Sequence, residues 1–106
     1  MNKEDKKKSP VSQRLREARI RAQLSQKELG VMAGMDQFTS SARINQYERD
    51  KHVPDFHTVQ RLAKVLKVPS TYLYADNDKL AEMILLFESA SSRNQSKAKQ
   101  LLLRGS

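Results

Sequence analysis

The chain has 106 residues, no Cys, and 20 Lys and Arg against 12 Asp and Glu, a formal net charge of +8. That length fits one domain with a small core, and the lack of Cys excludes a disulfide framework, a thiol nucleophile and a thiolate-held metal. The longest unbroken apolar run is the five residues Met83 to Phe87, where a membrane-spanning helix needs about 20. With no apolar segment behind the basic start, no secretory signal is expected and the chain reads as soluble and cytoplasmic. The positive excess favours an anionic partner, nucleic acid first.

Residues 1–22 carry eight basic and three acidic groups, the densest positive stretch of the chain. The first ten, MNKEDKKKSP, are almost free of apolar side chains, so residues 1–10 are expected to be a disordered basic arm closed by Pro10. Val11, Leu15, Ala18 and Ala22 then recur on one helical face. Ser25 and Glu28 form the spacing of a capping box and open a second helix through Ala33, with Gly34 turning the chain. MDQFTSS is loop-like, and Thr39 or Ser40 can cap a third helix running to about Arg49. Pro54-Asp55 starts a fourth, with Val59, Leu62, Ala63 and Leu66 at i, i+3, i+4, i+7. Pro69-Ser70 opens a short fifth containing Tyr72 and Leu73. Asp76 or Asp78 can cap a sixth, striped by Leu80, Ile84 and Phe87, and a last helix runs from about Gln95 to Leu103. Val and Ile are sparse and no alternating run persists. The expected fold is all-α.

From Leu15 to Leu73 the chain resembles the lambda-repressor-like (Xre-type) helix-turn-helix DNA-binding family. The matching residues are Leu15, Arg19, Leu24-Ser25-Gln26, Glu28-Leu29, Ala33-Gly34, Ile44, Glu48, Pro54, Leu62-Ala63, Leu66 and Val68, in the family's order. The resemblance implies a five-helix domain over residues 11–75, with residues 76–106 as a helical extension. It also implies a pairing of Arg19 with Glu48 that ties the first helix to the third. Small Gly30 and Ala33 let the second helix approach the third, and Leu29 and Ile44 are core pegs. Two features depart from the family pattern. The stretch between Gly34 and Ile44 is longer than the usual tight turn, and the residue after the third helix is Asp50 rather than Gly.

In this family the third helix enters the major groove. The resemblance therefore makes Ser40, Ser41, Ala42, Arg43, Asn45 and Gln46 the candidate DNA contacts. Arg can grip guanine O6 and N7, Asn or Gln can grip adenine N6 and N7, and Ala can touch only a thymine methyl. Gln26 would sit over a phosphate at a helix start, with Lys27, Arg49, Lys51 and His52 as flanking phosphate contacts. Gln37 and Thr39, in the longer loop, are further candidates.

The remaining polar residues suggest no chemistry. His52, Asp55 and His57 lack a fourth ligand and a metal-site spacing, the three Gly are far apart and form no phosphate loop, and no nucleophile, base and orienting group can be assembled. No cofactor, metal or enzymatic activity is expected. Tyr47, Tyr72 and Tyr74 read as packing groups. Ala81, Ile84, Leu85, Phe87 and Leu101-Leu102-Leu103 give the extension more apolar surface than a helix pair needs, which suits either an extra helix packed on the same core or, the favoured reading, a homodimer contact. The reading is a DNA-binding transcription regulator, a repressor acting as a dimer on a pseudo-palindromic site. Its alternative is an antitoxin or other protein-interaction module built on the same fold.

Overall fold

The computed structural model describes residues 9–105, and among them the chain forms seven helices and no strand. They are α1 (Pro10–Arg21), α2 (Gln26–Met32), α3 (Ser40–Glu48), α4 (Phe56–Leu66), α5 (Ser70–Leu73), α6 (Asp78–Ser89) and α7 (Ser92–Gly105). Residues 1–8, most of the expected basic arm, lie outside the described residues. Ser9 and Pro10 already belong to α1: the Ser9 hydroxyl accepts from the Val11 N–H, and Pro10 takes the first helical position, where a missing N–H costs nothing.

Local chemistry explains most of the helix starts. At α2 the Ser25 hydroxyl accepts from the Glu28 N–H at 2.9 Å, and the Glu28 carboxylate accepts from the Ser25 N–H at 2.8 Å. That backbone hydrogen bond, with the Ser25 hydroxyl behind it, holds the Glu28 carboxyl below its ordinary value. Asp55 caps α4 through the Thr58 N–H at 2.8 Å, which lowers its carboxyl likewise. Two expected starts differ. Asn77, not Asp76 or Asp78, caps α6, its side chain accepting from the Leu80 N–H. The last helix begins at Ser92, ahead of Gln95, where the Ser91 hydroxyl accepts from the Asn94 N–H.

The first four helices end alike. The residue beyond each last turn is left-handed: Gln23 (φ 61°), Gly34 (φ 94°), Asp50 (φ 59°) and Lys67 (φ 59°). The following N–H then reaches back into the last turn, as from Leu24 to Arg19, Met35 to Gly30, Lys51 to Gln46 and Val68 to Ala63. This closure satisfies helix-end carbonyls that would otherwise be orphaned. Asp50 thus adopts the conformation for which its family position usually carries Gly.

The core is built from the stripes seen in the sequence. Val11, Leu15 and Ala18 of α1, Leu29 of α2, Ile44 of α3 and Val59, Leu62, Ala63 and Leu66 of α4 are all buried. Ala22 is the exception, exposed as the residue that terminates α1. On α6 the inward set is Ala81, Ile84 and Leu85, while Leu80 and Phe87 are about half exposed. The α6 stripe is therefore turned from the expected Leu80, Ile84 and Phe87.

α6 is joined to the helical body by Arg14, whose burial the sequence does not advertise. Its Nε donates to the Ala75 carbonyl at 2.9 Å, and its Nη1 lies 2.9 Å from Asp78 and 3.3 Å from Glu17. The guanidinium also stands 6.0 Å from the centre of the Tyr72 ring, which Arg21 approaches at 5.5 Å. A buried guanidinium needs such partners.

The closest helix approach is at Gly30. A Cβ added there would stand 2.5 Å from the Ser40 Cβ and 3.2 Å from the Ser40 Cα. Exchanging Gly for Ala inside a helix ordinarily gains about 1 kcal/mol. Here the clash with backbone reverses the sign, and Gly30→Ala is expected to destabilise by about 1–2 kcal/mol. Urea unfolding checks this: the midpoint should fall at unchanged slope, and an unchanged or higher midpoint would refute the close approach.

Candidate nucleic-acid interface

α3 divides into faces that its neighbours define. Ser40, Ile44 and Tyr47, spaced i, i+4, i+7, are buried. Asn45 and Glu48 lie on the flank toward α1 and α2, Asn45 half buried and the Glu48 side chain almost wholly so. Ser41, Ala42, Arg43, Gln46 and Arg49 are exposed. Three of the exposed five, Ala42, Gln46 and Arg49, repeat the i, i+4, i+7 spacing on the side away from the core.

The flank is held by a network of four side chains and one backbone carbonyl. Arg19 grips Glu48 with two parallel hydrogen bonds, Nε to Oε2 at 2.6 Å and Nη2 to Oε1 at 3.1 Å. Its Nη1 donates to the Leu24 carbonyl at 2.9 Å, fixing the α1–α2 corner. The Gln26 Nε2 then donates to Glu48 Oε1 at 3.1 Å and to Asn45 Oδ1 at 3.2 Å. Because a carboxylate only accepts, the Gln26 amide must turn its nitrogen inward. The pairing implied by the family resemblance is present, and Gln26 extends it.

This network changes the reading of two candidates. The family resemblance makes Asn45 a candidate base reader, yet its amide oxygen already accepts from Gln26, so a bidentate grip on adenine would have to share that oxygen. Gln26 has its nitrogen committed to α3, leaving its oxygen as the free end of the amide. Ser40 is a plain correction. It is fully buried, and its hydroxyl donates to the Lys27 carbonyl at 3.1 Å. The near-contact with Gly30 put it there, so its side chain cannot reach DNA.

The other candidates stand at the surface. Ser41, Ala42, Arg43 and Gln46 project from α3, Gln37 and Thr39 from the preceding loop, and Lys27, Arg49, Lys51 and His52 around them. Arg43, Gln46 and His52 line one shallow depression together with Asp55. Lys27, Arg43, Arg49 and Lys51 form no ion pair among the described residues, so their charge is available to an outside anion. Asp55 is the one carboxylate in the depression, and it is engaged by the start of α4. The arrangement offers hydrogen-bonding tips in the centre and cations at the margin. One residue beside it was not singled out in the sequence: Phe38, in the loop before α3, is 87% exposed. Its signal was a lone aromatic ring in a polar loop.

The helix-turn-helix family profile matches residues 15–73, more than half of the chain. The chain belongs to this family, in its lambda-repressor-like (Xre) branch. Among solved structures, the crystal structure of the transcriptional regulator BswR is similar, with a TM-score of 0.83 and 46% sequence identity. The likeness covers 88% of this chain and 92% of that one. Comparison with curated protein sequences gives no significant match. Family and structural likeness together support a DNA-binding transcription regulator.

The Arg19–Glu48 pair carries a direct expectation. Removing one partner leaves the other partly buried and unpaired, since the Glu48 side chain is 3% exposed and that of Arg19 14%. Glu48→Ala should lower stability by about 1–3 kcal/mol, Arg19 keeping its carbonyl partner and some water. Chemical denaturation measures it, and a loss under about 0.5 kcal/mol would show that the pair does not anchor α3.

Proposed function

We propose that this helix-turn-helix protein represses transcription by binding a pseudo-palindromic operator as a homodimer, with α3 in the major groove. The observation that carries this reading is the outward face of α3. Arg43 and Gln46 present side chains suited to guanine and adenine edges, and unpaired Lys27, Arg49 and Lys51 flank them toward phosphates. A bound dimer covering promoter DNA would block transcription by occupancy. In this division of labour residues 11–75 bind DNA and residues 76–106 dimerise.

The dimer rests on the α6–α7 hairpin. Leu80, Met83, Leu86 and Phe87 on α6 and Leu101, Leu102 and Leu103 on α7 are 46–71% exposed, and α7 has no buried residue. Surfaces of this kind mark interaction sites, and a two-fold axis lets one apolar face cover its own copy. The same hairpin is what an antitoxin-like module would offer to an unlike protein, so the oligomeric state separates the two readings.

Sites selected from random duplex should contain half-sites about 10 bp apart or a multiple of that. On such a site Arg43→Ala or Gln46→Ala should each cost about 1–3 kcal/mol and relax preference at one position per half-site. Lys51→Ala should weaken all sequences alike and flatten the salt dependence. Scrambled duplex bound as tightly as the selected site would refute sequence recognition.

Sedimentation should give a dimer, and Leu86→Glu or Leu102→Glu a monomer that binds the full site more weakly through lost bivalency. A wild-type monomer at micromolar concentration would favour the protein-interaction module.

A further inference from the structure

Among the large hydrophobic side chains, Phe38 is the most exposed one described. It differs in setting from the exposed residues of α6 and α7. Those form a continuous apolar surface, whereas Phe38 stands alone between Gln37 and Thr39, next to the start of α3. Its position is fixed. The Asp36 carboxylate accepts from the Phe38 N–H at 2.9 Å, and the Asp36 carbonyl accepts from the Thr39 N–H at 3.2 Å, closing a turn that leads into α3. The turn fixes the backbone on either side of the ring, and the ring itself stands away from the core.

We propose that Phe38 packs against thymine C5-methyl groups at the edge of the half-site and sets the base preference there. The inference rests on the reading of α3 as the helix that enters the major groove. A phenyl ring has neither donor nor acceptor, so it cannot read the hydrogen-bonding edges of bases. Duplex DNA offers it three apolar surfaces: sugars, base faces exposed by unstacking, and the thymine methyl. Sugars carry no sequence information, and unstacking by inserted side chains is a minor-groove device. A ring placed just ahead of the α3 N-terminus lies beside the major groove, where the methyl is. Ala42, exposed in the first turn of α3, adds a second, small apolar side chain on this outward face.

The test removes the methyl alone. On the selected operator, each thymine is replaced in turn by deoxyuridine, and dissociation constants are measured for the wild type, Phe38→Ala and Phe38→Leu. The wild type should lose about fourfold in affinity at one or two positions, the equivalent of one buried methyl. Phe38→Ala should bind the unmodified site more weakly and be indifferent to deoxyuridine at those positions, with Phe38→Leu in between. Because the ring is exposed, Phe38→Ala should keep the wild-type urea midpoint, which separates a lost contact from a lost fold.

Full deoxyuridine sensitivity retained in Phe38→Ala would assign the methyl contact to another residue and overturn the proposal. A scan that is flat in the wild type, while Arg43→Ala still relaxes preference at its own position, would overturn it and leave the DNA reading standing. A wild type that does not distinguish the selected site from scrambled duplex would overturn both.

Discussion

One carboxylate, that of Glu48, determines where α3 can lie. It is nearly dry, and it is reached from two directions: by the Arg19 guanidinium of α1 and by the Gln26 amide of α2. A buried pair of this type is close to neutral in net stability compared with a well-packed apolar substitute, because desolvation offsets attraction. What it supplies is geometry. The guanidinium fork fits the carboxylate in one orientation, and its remaining N–H fixes the corner between α1 and α2. Rotating α3 about its axis would strand both charges, so the outward set of side chains is decided by a contact on the opposite flank.

α1 performs a second positioning task with the same residue type. Arg14 sits five residues before Arg19 and reaches the start of α6, where it joins Ala75, Asp78 and the Tyr72 ring. One helix thus holds α3 through one arginine and the start of α6 through another. Core packing gives this body its stability, with Leu15, Leu29, Ile44 and Leu62 wholly buried. The two arginines give it relative orientation, which apolar contacts alone specify less sharply.

The readable parts of the sequence were those with local causes. The Ser25–Glu28 box and the Val59 to Leu66 stripe are decided within one or two turns, and both are present. Ile44 reads as a core peg from its family position, while Ser40, on the same buried stripe, does not. What escaped the sequence depends on partners distant along the chain. Arg14 carries no local mark of its burial, because its acceptor lies 61 residues away. Ser40 read as a cap or a DNA contact, but Gly30, ten residues earlier, opens a space into which α3 settles and buries it. Asn77 stands between two aspartates that make equally good caps, and the Arg14–Asp78 contact draws one of them aside. Asn45 has the chemistry of a base reader, and its engagement by Gln26 follows from the crossing of α2 and α3 rather than from spacing.

The left-handed ends of α1, α3 and α4 have a consequence for how this chain can change over time. Gln23, Asp50 and Lys67 each hold a backbone conformation that costs an L-residue roughly 1–2 kcal/mol. Set against the total of about 5–15 kcal/mol typical of a folded domain, that strain is substantial. It is also removable one residue at a time, since glycine adopts the same conformation freely and only adds some freedom to the unfolded chain. None of the three positions belongs to the exposed set of α3, Ser41, Ala42, Arg43, Gln46 and Arg49. A destabilising change on that face can therefore be offset by glycine at one of these helix ends, leaving the face itself untouched.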